Sequence, residues 1–82
     1  MMQAEVIYQA LSDIFRDVFD RDDIVLVPEL SAADVVDWDS FKQIEILIAS
    51  EEKFGIKFTT QEMDSLKNVG DLVATIAAHA AA

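Results

Sequence analysis

The residues with chemistry to offer gather in one stretch, Asp37-Trp38-Asp39-Ser40-Phe41, where a long connection gives way to a strongly helical segment. A serine at such a junction has two readings. In the first, Ser40 only starts a helix, because its hydroxyl accepts a hydrogen bond from a free N–H of the first turn. Gln43 then completes a capping box. In the second, Ser40 carries a covalent cofactor. A catalytic nucleophile is a poorer fit, since it needs a base oriented by a third group. The only histidine, His79, falls in an Ala-rich tail expected to fray.

Other chemistries fail on residue type. One histidine and no cysteine leave no zinc set. Asp20-Arg21-Asp22-Asp23 looks like the start of a calcium loop, but Val25 and Ser31 stand where that loop needs Gly and Glu. Gly55 and Gly70 do not form a phosphate-cradling loop. The many carboxylates read as a solvated face, without a cleft to raise the pKa of one of them. No catalytic residue is assigned, and the chain is read as a substrate for modification, not as an enzyme.

Composition sets the frame. A chain of 82 residues allows one domain, residues 1–82, with too little core to enclose a substrate. With 16 acidic and 6 basic residues the net charge is -10, which repels nucleic acid and favours partners with basic patches. No apolar run approaches the ~18 residues of a membrane span and no signal peptide is visible, so membrane insertion is not expected and the cytoplasm is the default.

The elements that position Ser40 are all helical. Val6, Ile7, Ala10, Leu11, Ile14, Val18 and Phe19 recur at helical spacing, predicting a helix over 3–19. A connection over 20–39 follows, pinned by Ile24, Val25, Leu26, Val27, Leu30, Val35, Val36 and Trp38. Trp38 is read as a loop anchor, and Ser31-Ala32-Ala33-Asp34 as one short capped turn. A second helix runs from Ser40 to Phe54 and stops at Gly55. Thr59-Thr60-Gln61-Glu62 is a capping box opening a short third helix that ends near Leu66. Asn68 caps the last helix, with Asp71 in its first turn and Val69, Leu72, Val73 and Ile76 as its buried stripe. The expected class is all-α, a four-helix bundle with a long first loop and a short third helix.

The second helix displays more apolar surface than it can bury. At about 100° per residue its apolar arc spans roughly 220°, against the ~100° that one core face needs. Part of that arc should therefore be exposed, where Phe41 and Ile48 fall beside Glu45 and Glu52. An apolar and acidic face of this kind suits a partner with a greasy, basic groove.

The whole chain resembles an acyl carrier protein. The resemblance rests on Asp39-Ser40-Phe41 opening an acidic helix, on Glu45 and Glu51-Glu52-Lys53-Phe54, and on the Asn68-Val69-Gly70-Asp71-Leu72 start of the last helix. The family motif is Asp-Ser-Leu. The resemblance implies 4′-phosphopantetheine on Ser40, installed by a phosphopantetheinyl transferase holding coenzyme A and Mg²⁺, with Asp39 helping to present the serine. It further implies acyl groups held as thioesters, and acyl-loading, condensing or acyltransfer enzymes that read Phe41, Ile44, Glu45, Ile48 and Glu52. The chain would act as a monomer.

Phe41 departs from the family leucine. Asp37-Trp38 replace the Gly-Ala usual in housekeeping fatty-acid carriers, which looks more like carriers of specialised polyketide-type, lipid or cell-surface pathways. Lys42 introduces a positive charge expected to weaken contact with some basic partners. A peptidyl or aminoacyl carrier, and an unmodified helical interaction domain, are the alternatives. A start at Met1 directly before a helix, without Pro-rich flanks, suggests a discrete carrier.

Overall fold

The structure is a computed structural model that describes residues 3–81. Its elements are α1 (Ala4–Phe19), a single 3-10 turn (Ala32–Asp34), α2 (Ser40–Phe54), α3 (Thr60–Ser65) and α4 (Val69–Ala81). No strand occurs among the described residues, so the apolar run 24–27 is loop, as expected.

Helix α1 is the spine. Its i, i+4, i+7, i+8 stripe of Ile7, Leu11, Ile14 and Phe15 is buried and packs against α2 and α4. Each such side chain contributes about 1.5–3 kcal/mol when fully buried. Val6, part of the expected stripe, is half exposed. Asp20 ends the helix by adopting a left-handed conformation with φ 52°, while its N–H bonds to the Arg16 carbonyl.

The connection over 20–39 lies across the helices, but only part of it inserts. Ile24, Leu26, Leu30 and Trp38 pack on the core and Val35 is buried. Val25, Val27 and Val36, expected as pins, face solvent. Residues 24–27 alternate in and out because extended backbone sends successive side chains to opposite sides. The loop is also tied by its backbone. The Val69 and Gly70 N–H groups, free donors at the start of α4, bond to the carbonyls of Leu30 and Pro28, each at 2.9 Å. Gly70 eases this approach: a Cβ there would lie a tight 3.1 Å from the Pro28 oxygen and 3.2 Å from its Cβ.

The predicted boundaries of α2 and α3 match the structure. Gly55 takes φ 66° and stops α2, and the Glu51 carboxylate accepts the Phe58 N–H at 2.9 Å, fixing the extended link to α3. Thr59 and Glu62 form the expected capping box. In α4, Asn68 accepts the Asp71 N–H at 2.8 Å, and Val69, Leu72, Val73 and Ile76 are buried. The tail at His79, expected to fray, is instead part of α4, which runs to Ala81. Its Nε2 lies 2.9 Å from Glu62 Oε1 and its ring meets Phe58 edge-on at 6.0 Å. A contact between residues 17 apart cannot be read from local composition.

Candidate functional site

The approach to Ser40 is a tight, anchored turn. Asp37 is left-handed, with φ 73°, and its carbonyl accepts the Asp39 N–H at 3.0 Å. Trp38 is clamped edge-on between Phe15, at 5.3 Å and 85°, and Phe19, at 6.1 Å and 65°. Its indole N–H donates to Gln43 Oε1 at 2.7 Å. Trp38 is thus the loop anchor the sequence indicated.

The capping assignment differs from expectation. Asp39, not Ser40, is the N-cap: its Oδ1 accepts the Lys42 N–H at 3.0 Å. Ser40 is the first helical residue, and Gln43 turns to Trp38 instead of closing a capping box. The physical reason is that Asp and Ser are both strong caps, and the turn at Asp37–Asp39 puts the carboxylate in place first. Ser40 is left exposed, with no hydrogen-bond partner for its hydroxyl among the described residues.

This end of α2 suits a phosphate ester. The N–H groups of Ser40 and Phe41 have no intramolecular acceptor among the described residues, and such groups attract anions at a helix N-terminus. The Asp39 charge opposes an anion, but one of its oxygens is already engaged by a backbone N–H.

Beside Ser40 opens a cleft of ≈ 540 Å³ between α2, α3 and the start of α4. Trp38, Gln43, Leu47, Met63, Val69 and Leu72 are among its lining residues. The space lies between helices and is open to solvent. Helix α3 forms one wall and contributes no buried residue of its own. Sequence reasoning missed Met63, Leu66 and Lys67 as cleft residues, because only the path of the 55–68 segment brings them opposite α2.

Around the helix from Ser40, Phe41, Ile44 and Ile48 are 77, 54 and 51% exposed, and Glu45 and Glu52 are exposed between them. The wheel geometry places Phe41, Ile48 and the two glutamates on this face, and Ile44 enters only with the family resemblance. Ile44 also reaches the cleft wall. Lys42 does not stand out into solvent: its Nζ donates to the Val18 carbonyl in the last turn of α1 at 3.0 Å and lies 3.8 Å from Glu45. Its charge is drawn toward the negative end of the α1 dipole.

With this geometry in hand, similarity to known proteins is decisive. The family described as "Phosphopantetheine attachment site" matches residues 9–76. An acyl carrier protein of Acidothermus cellulolyticus is 37% identical over 76 residues, covering 93% of this chain and 90% of its own length. The chain belongs to the acyl carrier proteins.

A meromycolate extension acyl carrier protein of Mycolicibacterium smegmatis is 35% identical over 72 residues, covering 88% of this chain and 73% of the relative. The solution NMR structure of the holo acyl carrier protein from Geobacter metallireducens superposes with a TM-score of 0.85 at 43% identity, covering 90% of this chain and 85% of that one. The fold is the four-helix arrangement of that family, its cofactor is 4′-phosphopantetheine, and its role is that of a carrier, not a catalyst. Carriers of this family work with a phosphopantetheinyl transferase and with biosynthetic enzymes. No helix among the described residues is long and apolar enough to cross a membrane.

Proposed function

We propose that Ser40 is the attachment point of 4′-phosphopantetheine, and that residues 1–82 form one cytoplasmic carrier domain that delivers acyl groups to enzymes of a specialised lipid pathway. The observation that carries the assignment is the free, exposed Ser40 hydroxyl at the start of α2, released from capping by Asp39. When bound, the arm supplies a terminal thiol that holds an acyl group as a thioester. The residues of the chain do the rest. The free N–H groups of Ser40 and Phe41 receive the phosphate, Asp39 presents the serine to basic groups of the transferase, and the cleft beside Ser40 shelters apolar cargo. Phe41, Ile44, Glu45, Ile48 and Glu52 form the docking face for partners with basic, apolar grooves. The Trp38-Asp39-Ser40 sequence and the relatives named for meromycolate extension favour a specialised lipid pathway over housekeeping synthesis.

The test is intact mass after incubation with coenzyme A, Mg²⁺ and a broad-specificity transferase, with Ser40→Ala in parallel. One phosphopantetheine on the parent and none on the variant is expected. Uptake by Ser40→Ala would sink the assignment.

A further inference from the structure

The cleft beside Ser40 is mostly apolar, yet one of its walls carries a fixed hydrogen-bond donor. Gln43 lines it, next to Trp38 and Ser40. A carboxamide offers one acceptor oxygen and one two-proton donor nitrogen, whereas an indole N–H only donates. The 2.7 Å contact from Trp38 Nε1 therefore fixes the Gln43 oxygen toward the indole and turns Nε2 the other way. Trp38 is itself immobilised by Phe15 and Phe19, so the carboxamide has a set orientation. Among the described residues Nε2 has no protein acceptor and is open to solvent, since no buried side-chain nitrogen there lacks a partner. A donor at the edge of an apolar cleft can exchange water for an acceptor that arrives with a ligand.

Placement adds to this. Gln43 lies three residues beyond Ser40 on α2, a rise of about 4.5 Å, so its donor is within reach of oxygens on a group anchored at Ser40. The simpler account is that Gln43 exists only to satisfy the Trp38 N–H. That account leaves Nε2 to water and predicts no response when the cleft is occupied.

We propose that Gln43, oriented by Trp38, is a ligand-binding residue of the cleft that donates from Nε2 to a carbonyl oxygen of the group carried on Ser40. The inference rests on the attachment assigned above to Ser40. The acceptor has two sources: an amide carbonyl of the arm, or a carbonyl of the acyl group.

The experiment follows the Gln43 side-chain amide signals by ¹⁵N–¹H NMR in apo, holo, saturated-acyl and 3-oxoacyl samples, each with loading confirmed by mass. A downfield shift already present in the holo form assigns the arm amide. A shift that first appears on acylation assigns the acyl thioester carbonyl, and one confined to the 3-oxoacyl form assigns its keto oxygen. Absence of any shift across fully loaded samples overturns the role of Gln43 while leaving the carrier reading intact. Failure to load at Ser40 overturns the carrier reading and this inference with it. The Trp38 indole N–H signal should hold its position throughout; its movement to a free-indole position would overturn the orienting role. Trp38→Phe, with folding checked on Val69 and Leu72 methyl signals, is expected to abolish the Gln43 shift, and an unchanged shift would count against orientation by Trp38.

Discussion

Asp39 accepts the Lys42 N–H at 3.0 Å, and by closing the first turn of α2 it leaves the neighbouring Ser40 hydroxyl unbonded at the surface. With the attachment proposed at Ser40, stability and reactivity at this junction belong to different residues. Asp39→Ala should destabilise the fold by about 1 kcal/mol, a fall in Tm of about 4–8 °C for a domain of this size. Ser40→Ala should change Tm little and abolish loading. Asp39→Asn keeps a capping oxygen but loses the charge, so it should melt near the parent and load more slowly. Paired melting curves and loading rates check all three, and a large Tm loss in Ser40→Ala would return the capping role to the serine.

Lys42 joins the first turn of α2 to the last turn of α1 through the Val18 carbonyl. The ammonium side chain is partly exposed, so its contribution is modest, about 0.5–1 kcal/mol. Lys42→Met should lower Tm by a few degrees, and Lys42→Arg should restore part of the loss. Because the charge is turned toward α1, Lys42→Met should leave the loading rate by a basic transferase nearly unchanged. A marked acceleration in that variant would show that the charge opposes docking.

Gly70 makes room for the loop that leads to Ser40. Alanine is favoured over glycine inside a helix by about 1 kcal/mol, but here its Cβ would press on the Pro28 backbone oxygen. That oxygen is held by the Gly70 N–H, so it cannot retreat without stretching a bond worth about 1 kcal/mol and uncovering Leu30. Gly70→Ala should therefore fail to stabilise, and Gly70→Val should destabilise by more than about 1 kcal/mol. Chemical denaturation measures both, and a clear gain for Gly70→Ala would mean that the loop yields freely.

The Glu62 carboxyl is held below its ordinary value of 4.5, first by the Thr59 backbone N–H and then by His79. A depressed carboxylate contributes stability above its unfolded pKa, and the contribution is lost as pH falls through the lower folded value. The part of this stability that Glu62 contributes, chiefly at the α3 cap, should therefore be lost only as pH falls below the usual glutamate range. Glu62→Gln should flatten this acid limb. Amide exchange over 60–65 as a function of pH reads the effect, and an acid limb that is the same in Glu62→Gln and the parent would contradict it.

Much of this fold was legible because the signals were local. Gly55, the Thr59–Glu62 box and Asn68 each mark a boundary within a few residues, and the stripes of α1 and α4 repeat at helical spacing. The excess apolar arc of α2 also announced Phe41 and Ile48 as surface residues, whereas Ile44 came only from the family resemblance. What escaped was competition and long-range contact. Two good caps stood side by side at 39 and 40, and only the turn geometry chose Asp39. Gln43 satisfied a capping pattern but was taken by Trp38. His79 and Glu62, and the α3 wall of the cleft, meet only after the chain has folded back.

The proposed docking face separates charge from apolar contact, and kinetics can distinguish the two. Glu45 and Glu52 are exposed beside Phe41 and Ile48, so they act mainly on encounter with a basic partner and are screened by salt. Reversing both, Glu45→Lys with Glu52→Lys, should slow association with a phosphopantetheinyl transferase by about tenfold or more at low ionic strength. The deficit should shrink as salt is raised. Phe41→Ala removes a side chain that is 77% exposed in the free carrier, so the fold should melt as before. The loss should appear as faster dissociation with little salt dependence. Stopped-flow association across a salt series distinguishes these patterns. Equal, salt-independent losses in both variants would mean that the face works by shape alone, and unchanged rates in both would place docking elsewhere on the molecule.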